Sequence, residues 1–303
     1  MASLLDVTAA RSQLDLQALV QAVQQVEDSL YIVSCGESGS LLELNLTQLA
    51  RCYDVAARHK PQVNMVPLVP TAGWTIGKVA SLENLQYVLA PALHHQLSFH
   101  TAMTSARPAE LRPITLQKLP SNCPREKASS LESQAAVTEE GGQTPMRYEH
   151  VAVGGTFDRL HAGHRILLAA AALTSLAHLY IGITSDKLLQ NKEHHDLLES
   201  YEQRRDGAVS FMKRVNPSIT IRSGALTDPK EPTQAATDPR MEALVVSQET
   251  INGGHAINAY RKEHGFRPLE LVIIELVGIN AATPSGKLSS TELRAMEADR
   301  GKT

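Results

Sequence analysis

A chain of 303 residues is long enough for two domains of ordinary size, each with its own core. With 29 Lys and Arg against 32 Asp and Glu, the formal net charge of -3 offers no basic excess to nucleic acid or an anionic membrane, so a small-molecule substrate is implied. The 43% apolar residues include no run near the roughly 18 needed to span a bilayer, and the three cysteines, Cys35, Cys52 and Cys123, lack the CxxC spacing of a disulfide framework or zinc site.

The opening MASLLDVTAARSQLDLQ suits neither a secretory signal nor an Arg-rich transit peptide, which points to the cytoplasm. Residues 14–27 place Leu14, Leu16, Leu19, Val20 and Val23 close to one helical face, and the apolar run Leu30 to Ser34 then reads as a strand. A turn, GESGS from Gly36 to Ser40, precedes a second helix at about 46–58. That turn has the composition of an ordinary loop, though such a loop after a strand can also take a phosphate. Another apolar segment, 63–69, ends at Pro70, and SLENLQYVLAPAL from Ser81 reads as a helix with a serine N-cap, broken at Pro91. Residues 1–112 are expected to form a smaller, divergent α/β domain whose role the sequence does not state.

From 113 to 146 the composition turns to Pro, Ser, Glu, Gln and Gly without apolar periodicity, the pattern of a flexible linker. Beyond it, strands are expected at 149–153, 179–183, 218–222, 243–246 and 270–276. Helices are expected at about 164–176, 199–214 and 254–264 and from about 290. This alternation predicts a doubly wound, Rossmann-like parallel sheet over 147–303, with ligands bound outside the carboxyl ends of its strands.

The chemistry concentrates in HVAVGGTFDRLHAGH, His150 to His164, where a strand runs into two glycines and then a helix. Gly154 and Gly155 allow a ligand close to the backbone, and His161 and His164 reach the space above a helix N-terminus, which favours anions. Seven fixed residue types in GTFDxxHxGH make a far more specific signal than a lone GxG. A second segment, KLSSTELR from Lys287 to Arg294, sets Ser289, Ser290 and Thr291 at another helix start, where hydroxyls serve as N-caps or as phosphate donors.

An HxGH motif paired with a distal serine-rich loop resembles the HxGH nucleotidyltransferases. Within that superfamily the stretches SDKLLQNK, SYEQR, LTDP, EALVVSQET and GGHAINAYR are most similar to phosphopantetheine adenylyltransferases of the eukaryotic and archaeal type, a similarity that spans about 148–298. The resemblance implies transfer of AMP from ATP, with Mg²⁺ carried by the nucleotide, to 4′-phosphopantetheine, by direct attack without a covalent enzyme intermediate. It implies that His164, with His161 beside it, hydrogen-bonds the α-phosphate in the transition state, that Thr156 holds the incoming phosphate or the nucleotide, and that Lys192 lies between the two phosphates. Gly154, Gly155, Phe157, Ser247, Glu249, Thr250, Ser289, Ser290 and Thr291 would line the nucleotide site. Arg204, or Arg205 beside it, would lie near the substrate, and His255 and Asn258 near the site in no fixed role. Asp158 could cap its turn or touch the ligand. No P-loop precedes Thr303, so dephospho-CoA is the expected product and a separate dephospho-CoA kinase a possible partner. The competing readings are a cytidylyltransferase or an FMN or NMN adenylyltransferase of the same superfamily, and a silent nucleotide-binding scaffold.

Overall fold

The computed structural model describes residues 1–8, 14–36, 39–90, 96–119, 147–275, 277–278 and 288–300, with the side chains of 96, 97 and 300 left aside. Residues 120–146, most of the expected linker, and Lys287 lie outside the described residues.

In the first half the elements run β1 (Ala2–Asp6), α1 (Leu16–Gln25), β2 (Ser29–Cys35), β3 (Leu41–Leu42), α2 (Leu46–His59), β4 (Asn64–Pro67), α3 (Ile76–Ala80), β5 (Leu85–Ala90), α4 (Gln96–Ala106) and β6 (Thr115–Lys118). Local chemistry sets several boundaries. Asp15 caps α1 by accepting from Ala18 N–H, and Asn45 with Gln48 forms a capping box at α2. Within GESGS, of which Glu37 and Ser38 lie outside the described residues, Gly36 N–H donates to Ser40 O and Gly39 N–H to Gly36 O, while β3 pairs antiparallel with the end of β2. Parallel pairing gives the order β4, β2, β1, β5, β6.

Two expectations are corrected here. The segment read as a helix from Ser81 is strand β5, fully parallel to β1 and β6, and Ser81 ends α3 rather than starting a helix. Leu85, Val88, Leu89 and Ala90 are all buried in mid-sheet, where both faces of a strand are covered and the alternation that marks a half-buried strand disappears. Residues 115–118, assigned to the linker, form edge strand β6. Strand β1 and helix α4 went unnoticed in the sequence.

The second half runs β7 (Tyr148–Gly155), α5 (Ala162–Thr174), β8 (Ser175–Thr184), α6 (Tyr201–Val215), β9 (Thr220–Leu226), α7 (Gln234–Thr237), β10 (Ala243–Ser247), α8 (Ile251–Glu263), β11 (Glu270–Ile274) and α9 (Ser290–Arg300). All five strands are parallel in the order β11, β10, β7, β8, β9. Counting only parallel strands, both sheets share one wiring: the third, second, first, fourth and fifth in chain order lie side by side. Helices α5 and α6 pack together on one face, and α7 and α8 pack on each other with a small satellite core of Ala152, Ala235, Met241, Leu244, Val246 and Leu269. The doubly wound, Rossmann-like expectation therefore holds.

The halves are joined by more than a tether. Helix α2 packs on α5, and the buried apolar residues of both sheets form one continuous cluster. Polar ties cross the seam: Trp74 Nε1 donates to Val215 O at 2.9 Å, and Arg147 bridges Thr71 O to Leu173 O and Ser175 O. Among the described residues no helix is long and apolar enough to cross a membrane.

Candidate active site

Strand β7 is central, paired with β8 and β10, and beyond its carboxyl end the chain must turn sharply into α5. The turn is strained: Phe157 and Arg159 hold positive φ angles of 55° and 45°. Phe157 is fully buried, and its ring would meet a Cβ on Gly155 at 3.0 Å, a tight contact that favours glycine there.

Two buried arginines hold the turn. Arg204 of α6 is 0% exposed and donates to Glu199 O, Thr156 O, Thr184 O and Asp186 Oδ1, the last at 2.6 Å. Its guanidinium is committed to protein acceptors beneath Thr156, and the residue does not line the pocket described below. Arg205 instead faces outward and pairs with Asp206. The other is Arg294 of α9, which donates to Asp158 Oδ2 at 2.5 Å, to Glu193 O and to Thr291 Oγ1. Asp158, 0% exposed, also accepts from Glu199 N–H and from Arg159, and its carbonyl accepts from Ser290 Oγ at 2.8 Å. Of its two readings, Asp158 takes the structural one and joins the glycine turn to the serine segment. The convergence of the two motifs has its physical basis here.

Between them lies a pocket of about 430 Å³, within the usual range for small-molecule sites. Gly154, Gly155, Thr156, Phe157, His161 and His164 form its floor and the N-terminal lip of α5. Lys192, Ser247, Glu249 and Thr250 edge it, and Ser289, Ser290 and Thr291 close it from α9. Every residue expected at the site lines it except Arg204. His255 is exposed and outside it, and Asn258 clamps α8 to β11 by bonding the Leu269 backbone in both directions. A wider, more open depression of about 640 Å³ around Trp74, Lys78 and Ser218 carries no motif residue, so the chemistry belongs to the smaller pocket.

Local bonding orients the lining groups. His161 is the N-cap of α5: its Nδ1 accepts from His164 N–H, which leaves the proton of a neutral ring on Nε2. The two imidazoles stack with centroids 3.9 Å apart, and Phe157 meets His164 edge-on. His164 Nδ1 is buried without a hydrogen-bond partner among the described residues. Ser289 Oγ caps α9 at Glu292 N–H, so the serine segment both caps its helix and faces the pocket. Ser247 and Thr250 close a tight turn at the end of β10. Residues missed in the sequence include Thr184, Glu275, Val277, Gly278 and Arg294. Of these only Arg294 had a signal, as the last position of the SSTELR segment.

Burial, with a smaller contribution from Arg165, lowers His164 to about 4, and burial lowers His161 well below its usual range, helped by His164 and Arg165. Both rings are therefore neutral donors at neutral pH. A histidine depressed on folding binds its proton more readily when unfolded, so stability is lost as the pH falls from 6.5 towards 4. For His164 that interval, at 1.4 kcal/mol per pH unit, corresponds to about 3 kcal/mol. Urea unfolding of the wild type and of His164→Gln between pH 7 and pH 4.5 is expected to show a shallower pH slope in the variant. Identical slopes would mean that His164 is not held neutral.

An enclosed parallel-sheet pocket with two helix N-termini, paired imidazoles and a lysine at its edge defines a nucleotidyltransferase-type site on a Rossmann-like fold. The family profile described as cytidylyltransferase-like matches residues 152–296. Proteins named phosphopantetheine adenylyltransferase are 37% identical over 158 residues in Saccharomyces cerevisiae (52% of this chain, 51% of that one), 36% over 150 residues in Pyrococcus abyssi (50% and 91%), and 37% over 152 residues in Methanosarcina mazei (50% and 93%). The match thus spans about half of the yeast relative and nine-tenths of the archaeal ones. The chain belongs to the phosphopantetheine adenylyltransferase family.

Proposed function

We propose that the protein transfers the AMP part of ATP to 4′-phosphopantetheine, giving dephospho-CoA and pyrophosphate. The observation that carries this reading is the single pocket between the HxGH turn and the serine segment, in a chain of this family. The second pKa of a phosphate monoester is near 6, so the nucleophile is already mostly a dianion and needs no general base. One of its oxygens bonds to the α-phosphorus as the bond from that phosphorus to the β-phosphate oxygen breaks, and pyrophosphate leaves with the electron pair. What the protein supplies is in-line positioning and donors for developing charge.

In this reading His164, backed by His161, donates to the α-phosphate, which suits rings that are neutral rather than cationic. Thr156 and Lys192 hold the phosphate of the acceptor. Ser289, Ser290, Thr291 and the start of α9 receive the β- and γ-phosphates, and Ser247, Glu249 and Thr250 lie at the nucleoside. Arg204 acts only through Thr156. Mg²⁺ would arrive with the triphosphate, held chiefly by its phosphate oxygens and by water, as this ion usually is, and would neutralise charge on the departing pyrophosphate. Residues 147–303 form the transferase unit in this proposal. A cytoplasmic setting accords with buried, free Cys35 and Cys52.

The test is incubation with ATP, Mg²⁺ and 4′-phosphopantetheine with mass detection of dephospho-CoA, run beside CTP and beside phosphocholine, glycerol phosphate, FMN and NMN. Turnover confined to another pair would move the chain to another branch of the superfamily, and none with any pair would leave a binding scaffold. Lys192→Ala is expected to lower kcat about tenfold or more while changing ATP affinity little, because a mobile ammonium follows the charge of the reacting phosphate. A pure loss of ATP affinity at unchanged kcat would limit Lys192 to binding.

A further inference from the structure

The first half reaches the proposed site through one short stretch of chain, from α2 to the start of β4. Gly278, on the pocket wall, donates its N–H to Asp54 Oδ1 at 3.1 Å, while Asp54 Oδ2 is held by Arg58 at 2.6 Å. Gly278 has φ +82°, and a Cβ added there would stand 2.7 Å from Leu288 Cβ and 3.2 Å from Ala57 Cβ. The wall is thus pressed against α2 with no slack. Ala162, the first residue of α5, donates its N–H to Pro61 O at 2.9 Å, so a carbonyl of the first half satisfies one of the open donors of the HxGH helix.

Asn64 completes the grip. Its Oδ1 accepts from Arg165 at 2.9 Å and from Arg214 at 2.8 Å, and its Nδ2 is anchored to Ser29 Oγ at 2.8 Å. Arg165 follows His164 directly and is buried, with both guanidinium groups lying over the Phe211 ring. Among the described residues no carboxylate forms an ion pair with either arginine, so Asn64 is the group that fixes the base of the helix immediately behind the catalytic imidazole.

We infer that the first half is a positioning partner of the transfer site. Asp54, the Pro61 carbonyl and Asn64 hold the HxGH helix and the Gly278 wall in register with each other. Neither Asp54 nor Asn64 lines the pocket: Asp54 acts through Gly278, which does, and Asn64 through Arg165, the residue after the pocket-lining His164. The kinetic consequence rests on the adenylyl-transfer reading, whereas the mechanical coupling does not.

The experiment uses the full chain with four substitutions: Asp54→Ala, Asp54→Asn, Asn64→Ala and, as a control, Trp74→Phe, which removes a seam hydrogen bond away from the pocket. Per folded molecule, Asp54→Ala and Asn64→Ala are expected to lower kcat about tenfold with KM for ATP changed less than about twofold, since small misplacements act on the transition state. Asp54→Asn keeps an acceptor for Gly278 N–H and is expected to restore most of kcat. Trp74→Phe lowers thermal stability and leaves kcat unchanged. Wild-type kcat in both alanine variants, or losses that merely track stability across all four, would overturn the inference. If the wild type makes no dephospho-CoA, the reaction assignment fails separately, and amide exchange at 162–165 decides the coupling. Exchange at least tenfold faster in Asn64→Ala than in Trp74→Phe supports it, and equal rates reject it.

Discussion

Replacing His164 by alanine is expected to lower kcat for dephospho-CoA formation by about 100-fold or more, the scale for losing one donor to transition-state charge, while the protein stays folded. The side chain lines the pocket, and its backbone bonds do not depend on the imidazole. The buried ring is neutral through its lowered pKa, so what disappears is a hydrogen bond strengthened by a dry site rather than a cation. Continuous detection of released pyrophosphate with intact far-ultraviolet circular dichroism makes the measurement. Normal turnover in a folded His164→Ala protein would remove the imidazole from the mechanism.

The second large effect is expected at Asp158. Alanine there leaves Arg294, itself only 2% exposed, as a buried charge without its carboxylate. Breaking one partner of a buried ion pair typically costs about 3 to 5 kcal/mol. Glu199 N–H also loses its acceptor, and the bridge between the glycine turn and α9 opens. Urea denaturation should show that loss. The double change Asp158→Leu with Arg294→Met is expected to recover most of the stability, because apolar pairs can replace buried ion pairs, without recovering activity. A loss below about 1 kcal/mol in Asp158→Ala would mean that the pair does not hold the motifs together.

The second sheet could be read from the sequence because apolar runs such as ALVVS and ELVII alternate with helical stretches, one of them opened by the capping box of Ser200 and Gln203. Two walls of the pocket were legible because their groups sit in contiguous segments with fixed spacing, 154–164 and 289–294, whereas Thr184, Glu275, Val277 and Gly278 belong to no such segment. Arg204 shows the limit of such reading: the direction of a long side chain is set by its acceptors, here Thr156 O, Thr184 O, Asp186 Oδ1 and Glu199 O, most of them distant in the chain. Strand β5 reads as helix because Leu82, just before it, recurs at helical spacing with Leu85 and Leu89 inside a largely buried strand. Helix α4, QLSFHTAMTSA, carries no charge to mark an outer face, and β6 is a four-residue polar edge in a Pro-rich context. Asp54 and Asn64 gave no local signal at all, since their partners lie far away in the chain.

The strands of the two sheets never interleave along the chain. As the polypeptide leaves the ribosome, β1 to β6 can therefore assemble before β7 has been made, in keeping with the unit-by-unit folding of larger chains. Helix α5 then meets a finished surface on α2 and β4, so the earlier product acts as a template on which the later one is moulded.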